Sequence, residues 1–77
     1  MTVAREIRLV GEVCPMTTVR TRLALDEMAP GEDLAVELDH LPAVAAVPAE
    51  MRARGHSVLG VVPLGGGRYR VVLRKSP

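Results

Sequence analysis

The sequence predicts an α/β fold, a two-layer sandwich with a four-stranded mixed sheet and two helices on one face. Three observations predict it. Asp33–Leu38 alternates, with Leu34, Val36 and Leu38 set against Ala35 and Glu37, the period of a half-buried strand. Residues 16–28 form a helix-compatible run with Pro15 in front and Ala29-Pro30-Gly31 behind, a start signal and a stop signal. Near the C-terminus, two apolar runs flank Gly65-Gly66-Gly67, as the arms of a hairpin flank its turn.

Each element follows in order. Residues 6–10 read as the first strand, with Ile7 and Leu9 or Val10 apolar. The first helix runs over 15–28, Pro15 taking the first helical position because its missing N–H costs nothing there. Asp33–Leu38 is the second strand. Pro42 and Pro48 bracket residues 41–47, which read as a turn, and a second helix then continues through Arg54 to stop at Gly55. Residues 57–62 make the third strand, and Arg68–Arg74 the fourth, with Tyr69, Val71 and Leu73 on one face and arginines on the other. A strand, a helix and a second strand most simply form a right-handed parallel crossover. The hairpin then completes the mixed sheet in β-α-β-α-β-β order.

The 77 residues make one domain, residues 1–77, whose thin core buries about 60% of the unfolded surface. A net charge of +1 and a single aromatic residue, Tyr69, weigh against nucleic-acid binding, which needs a basic excess and stacking rings. The charged start of the chain carries no long apolar run, and no stretch is long enough to span a membrane. The one cysteine cannot form an intrachain disulfide, which points to a reducing compartment and so to the cytoplasm.

That cysteine, Cys14, is the candidate chemical centre. Pro15 as first helical residue makes Cys14 the N-cap, facing free backbone N–H groups and the positive end of the helix dipole. Both favour thiolate, the reactive form. A buried structural cysteine is the competing reading, since free cysteines are among the most buried residues. On the first helix, Thr18, Thr21, Leu25 and Met28 share one stripe beside Ala24, and Met16, Val19 and Leu23 share another. One stripe faces the sheet. The other either packs on the second helix or stays exposed for a partner, with Arg20 beside it.

Other candidates carry less. His56, after Gly55, serves either as a proton carrier or as an ordinary residue at a helix-to-strand corner. Cys14, His40 and His56 have no metal-ligand spacing. Arg20, Arg22, Arg52 and Arg54 either steer an acidic partner or, balanced by Asp26, Glu27 and Glu50, form an ordinary solvated face. The triple glycine lacks a following helix and lysine, so it is a turn and no phosphate loop.

Gly11, Cys14-Pro15 ahead of a helix, Pro30-Gly31-Glu32, a strand, a proline-bounded second helix, Gly55-His56 and a terminal hairpin together resemble the TusA-like, or SirA-like, sulfur-carrier family. The resemblance covers about residues 6–75. It implies a two-layer sandwich and a sulfur relay in which Cys14 takes sulfur as a persulfide and passes it on. Gly11, Pro15, Met16 and Thr17 would support the cysteine, and Val19, Arg20 and Leu23 would offer a partner surface. The implied partners are a donor of the cysteine desulfurase or rhodanese kind and an acceptor protein. No cofactor or metal is implied, and the chain would act as a monomer. Members serve tRNA thiolation, molybdenum-cofactor-related sulfur supply or sulfur oxidation. The sequence departs from the usual Cys-Pro-x-Pro at Thr17, from an acidic residue at Arg8, and from an acidic pair at Asp39-His40. These differences bear on partners and leave the cysteine chemistry intact. The alternative function is a non-catalytic regulatory or RNA- or protein-binding module on the same scaffold.

Overall fold

The computed structural model describes residues 3–13 and 15–77. Its elements are β1 (Arg5–Arg8), α1 (Met16–Asp26), β2 (Asp33–Leu38), α2 (Leu41–Ala53), β3 (Ser57–Gly65) and β4 (Arg68–Arg74). The sheet order is β1-β2-β4-β3, with β1 parallel to β2 and the other neighbours antiparallel. The predicted mixed sheet and element order are those observed.

Register explains the two layers. Leu34, Val36 and Leu38 on β2 lie opposite Leu73, Val71 and Tyr69 on β4, so alternate positions share a face. That face meets Ala24, Leu25 and Met28 of the α1 segment and Ala43, Val47 and Met51 of α2 in one core. Both helices therefore pack on the same side. The other face is a charge ladder: Glu37 holds Arg8 at 3.4 Å and Arg68 at 3.2 Å, Glu6 holds Arg70, and Asp33 holds Arg74.

Two turns follow from glycine. Glu32 N–H donates to the Ala29 carbonyl at 3.2 Å across Pro30-Gly31, with Gly31 at φ +87°. Proline then glycine at the centre is the type II pattern. Gly66 and Gly67 both have positive φ, as a two-residue hairpin loop requires.

Several boundaries differ from the predicted ones. α2 starts at Leu41, so residues 41–47 are helix and not a turn. Pro42 sits in its first turn, where no N–H is needed, and Pro48 lies inside the helix with its ring buried in place of a hydrogen bond. β3 extends to Gly65 through register shifts at Val58/Gly60 and Pro63/Gly65, which an edge strand tolerates, Pro63 included. β1 ends at Arg8, with Leu9 buried just beyond it.

α1 is also shorter than the predicted 15–28, and Pro15 is its N-cap residue at φ −90°, ψ 2° instead of its first helical residue. The reason is a tight turn ahead of the helix: Met16 N–H donates to the Val13 carbonyl three residues back, at 3.1 Å. Cys14 thus precedes the cap in sequence and does not occupy it. Cys14 itself lies outside the described residues.

Candidate functional site at the loop carrying Cys14

The loop begins where β1 leaves the sheet. Leu9 N–H donates to the Glu37 carbonyl at 2.8 Å, and Glu12 N–H returns to Leu9 at 3.2 Å. Between them Gly11 turns the chain at φ +88°, a conformation L side chains rarely adopt. Its N–H donates to Asp39 Oδ1 at 2.8 Å. This bond ties the loop after β1 to the loop after β2, so the N-terminal ends of both helices meet at one end of the molecule. Gly11 thus joins the two loops through its backbone.

The predicted supporting residues divide. Pro15 and Met16 are exposed, Met16 by about half (51%), whereas Thr17 is fully buried. The N–H groups of Met16 and Thr17 both point to the Val13 carbonyl, at 3.1 and 3.4 Å. They are therefore engaged with backbone and are not the free donors expected for a cysteine at the cap. Thr17 belongs to the core stripe with Thr21, whose hydroxyl donates to the Thr17 carbonyl at 2.8 Å, while Thr18 is half-buried.

The second stripe of α1 is open. Leu23 is 50% exposed, Val19 is half-buried and Arg20 is exposed. Arg20 reaches back to Glu12 Oε2 at 2.7 Å, neutralising the carboxylate two residues before Cys14. Val13 and Leu41 add two further exposed apolar side chains at this end. Sequence reasoning missed Glu12, Asp39 and Leu41 as parts of the site. The eight-residue step from Glu12 to Arg20 crosses a loop, so no helical spacing flags the pair. Leu41 was hidden by reading its segment as a turn.

His56 is not brought to this loop. It is buried beyond the far end of α2, and its Nδ1 accepts the Ser76 N–H at 3.0 Å. Burial holds its pKa below the ordinary 6.5, with Lys75 adding to the effect, Asp26 opposing it and Arg54 adding a little more. Asp26 is the last residue of α1, about 15 Å along the helix from Met16. His40, the N-cap of α2, is separated from His56 by the whole helix, about 20 Å long. The two histidines cannot share a metal ion. Among the described residues no cluster of three metal-ligating side chains occurs. No helix among them is long and apolar enough to cross a membrane.

The comparisons agree with this architecture. A SirA-like protein from Desulfitobacterium hafniense superposes with a TM-score of 0.84 over 95% of this chain and 99% of its own, at 20% identity, and so shares the fold. Two proteins named "Putative sulfur carrier protein" are similar in sequence. The one from Archaeoglobus fulgidus is 45% identical over 86% of this chain and 75% of its own length. The one from Thermotoga maritima is 32% identical over 94% and 91%. The profile of the family described as Sulfurtransferase TusA matches residues 5–75, a span that takes in Cys14, both helices and all four strands, and the chain belongs to that family.

Proposed function

We propose that this chain carries sulfane sulfur as a persulfide on Cys14, taking it from one protein and delivering it to another in the cytoplasm. The observation that carries the reading is that the family match spans the only cysteine of the chain. Its sequence neighbours Val13 and Pro15 are exposed, which supports access by a partner.

The chemistry balances without a cofactor. The Cys14 thiolate attacks the outer sulfur of a donor persulfide, the donor's S–S bond breaks, and the donor cysteine leaves as thiolate. An acceptor thiolate then attacks the outer sulfur now on Cys14, the S–S bond to Cys14 breaks, and the Cys14 thiolate leaves. No net oxidation occurs in the transfer to a thiol. One cysteine cannot resolve its own persulfide, so both steps are intermolecular and the activity is that of a sulfurtransferase. Partner contact falls to the exposed end formed by Val13, Met16 and Leu41, together with Val19, Arg20 and Leu23.

Incubation with a sulfane-sulfur donor followed by intact-mass measurement tests this. The wild-type chain should gain one sulfur atom, lost again on reduction, and Cys14→Ser should gain none while its melting midpoint stays close to wild type. Sulfur retained by the serine variant, or a doubled mass from an intermolecular disulfide, would overturn the reading.

A further inference from the structure

We propose that Asp39 is a positioning residue for sulfur transfer between proteins: its carboxylate holds the loop that carries Cys14 where a partner's thiolate can reach the outer sulfur. The proposal rests on the carrier reading above.

The loop has little else to hold it. Leu9 before it and Thr17 after it are buried, but residues 10–13, 15 and 16 are exposed or half-buried, so none of these is anchored in the core. At its far end the Met16 and Thr17 N–H groups bond the Val13 carbonyl and join the loop to α1. In its near half, the Glu12 N–H bond to Leu9 closes a turn and fixes local shape alone. Among the described residues, two polar contacts reach from this half to other elements, Glu12 to Arg20 and Gly11 N–H to Asp39. The first joins two long side chains, that of Arg20 exposed, and such a contact fixes little. The second grips the backbone itself, at 2.8 Å, at the residue where the chain turns through positive φ.

Asp39 is a firm post for that grip. It follows Leu38, which is buried and paired with Tyr69 at the end of β2. It precedes His40, whose carbonyl accepts the Ala43 and Val44 N–H groups that open α2. Its backbone is therefore held on both sides. An aspartate near a helix start ordinarily serves as its cap. Here α2 has no side-chain cap, and the carboxylate beside it bonds the other loop instead. The bond serves the placement of that loop and not the stability of α2.

Sulfur transfer needs the placement. A partner's thiolate arrives fixed on a protein surface and reaches the outer sulfur from one direction, so a displacement of about 1 Å is costly. A small thiol approaches from any side and tolerates the same displacement.

Comparing the two kinds of acceptor tests this. The chain and its variants are loaded with inorganic polysulfide and freed of excess. Loss of the added sulfur to glutathione or to reduced thioredoxin is then followed by intact mass. Asp39→Ala should slow removal by thioredoxin about tenfold and removal by glutathione less than about twofold. Asp39→Asn keeps an acceptor oxygen in the same place and should return the thioredoxin rate to within about twofold of wild type. The Gly11 amide should exchange faster with solvent in Asp39→Ala and not in Asp39→Asn. Thermal melts check that each variant is folded. If Asp39→Ala is not, Asp39→Glu displaces the carboxylate by one methylene and should show a smaller loss with the same selectivity. An unchanged thioredoxin rate in Asp39→Ala, equal slowing with both acceptors, or an asparagine variant as slow as the alanine one would each overturn the proposal. Failure of the wild-type chain to take up sulfur from polysulfide would instead bring down the carrier reading, while Gly11 exchange still measured the tie.

Discussion

At the end of the molecule where α1 and α2 begin, Val13, Met16 and Leu41 stand at least half exposed around a loop tied to the rest of the fold by the Gly11–Asp39 and Arg20–Glu12 bonds. At the end where the helices finish, the chain is tied down repeatedly. Arg74 grips Asp33 through two hydrogen bonds, of 2.8 and 3.2 Å, and Gly31 and Lys75 exchange backbone bonds with their neighbours across the same edge. Ser76 is fastened to His56. The Arg74 guanidinium holds the Asp33 carboxyl below its ordinary 3.8, against the effect of burial. Among the described residues, the bidentate ion pair and the ties of the C-terminal segment thus lie at the end away from the cysteine loop. The apolar surface left uncovered at the cysteine end suits a protein that must meet two partners in turn, because a surface satisfied within the fold would have nothing to offer them.

Removing a methylene cluster at each end is the strongest way to break this contrast. Leu73 is fully buried in β4 near the tied end, whereas Leu41 is 65% exposed at the start of α2. Leu73→Ala should cost about 2–5 kcal/mol, through lost transfer energy and the cavity left behind. Leu41→Ala should stay within about 0.5 kcal/mol, as exposed substitutions usually do. Denaturant titrations of both variants decide it. Similar losses at the two sites would mean that both ends contribute equally to stability, and the contrast would fail.

A smaller effect is expected from pH, and it is confined to the tied end. The Ser76 N–H needs an unprotonated Nδ1 on His56, since both nitrogens of an imidazolium are donors. The folded pKa lies below the 6.5 of the unfolded chain, so the unfolded state takes up its proton first as pH falls. The His56 contribution is complete above about pH 6.5 and is lost as pH drops from there through the folded value. Wild-type stability should therefore decline between about pH 8 and about pH 5, and His56→Gln should decline less over the same interval. Parallel slopes would remove His56 from the account.

The element order, both helices and the two-layer arrangement were legible because they rest on local signals that tertiary packing reinforces. The alternation at Asp33–Leu38 is an example: one face is wholly buried, and a one-residue slip would expose Leu34, Val36 and Leu38 together. The α2 boundary was not legible, because Pro42 and Pro48 are breakers by propensity, and only the buried positions of Ala43, Val47 and Pro48 keep the helix continuous through them. The family was legible from landmarks in order, yet the environment of the loop was not. The Gly11–Asp39 bond spans 28 residues, and the capture of the Met16 and Thr17 N–H groups by Val13 depends on the φ and ψ of Pro15. Neither has a sequence pattern of its own.

The smallest expected effect sharpens the electrostatic side of the contrast. Nearby charge is one lever on a cysteine thiol, and Glu12 is the carboxylate closest to Cys14 in sequence. Two residues of extended chain separate their Cα atoms by up to about 7 Å, which sets the scale of the charge separation. A unit charge at that distance in water is worth about 0.6 kcal/mol, or roughly 0.4 of a pKa unit, before salt screens it. Arg20 cancels most of this field by pairing with Glu12 at 2.7 Å. Arg20→Gln should therefore shift the pH profile of Cys14 alkylation upward by about 0.3 pH unit at low ionic strength, and the shift should shrink in about 1 M salt. The two fields add, so Glu12→Gln alone should shift the profile downward by a similar amount and the double variant should return close to wild type. A double variant displaced from wild type by as much as either single variant, or an Arg20→Gln shift that survives high salt, would show that the charges of this ion pair are not what moves the cysteine.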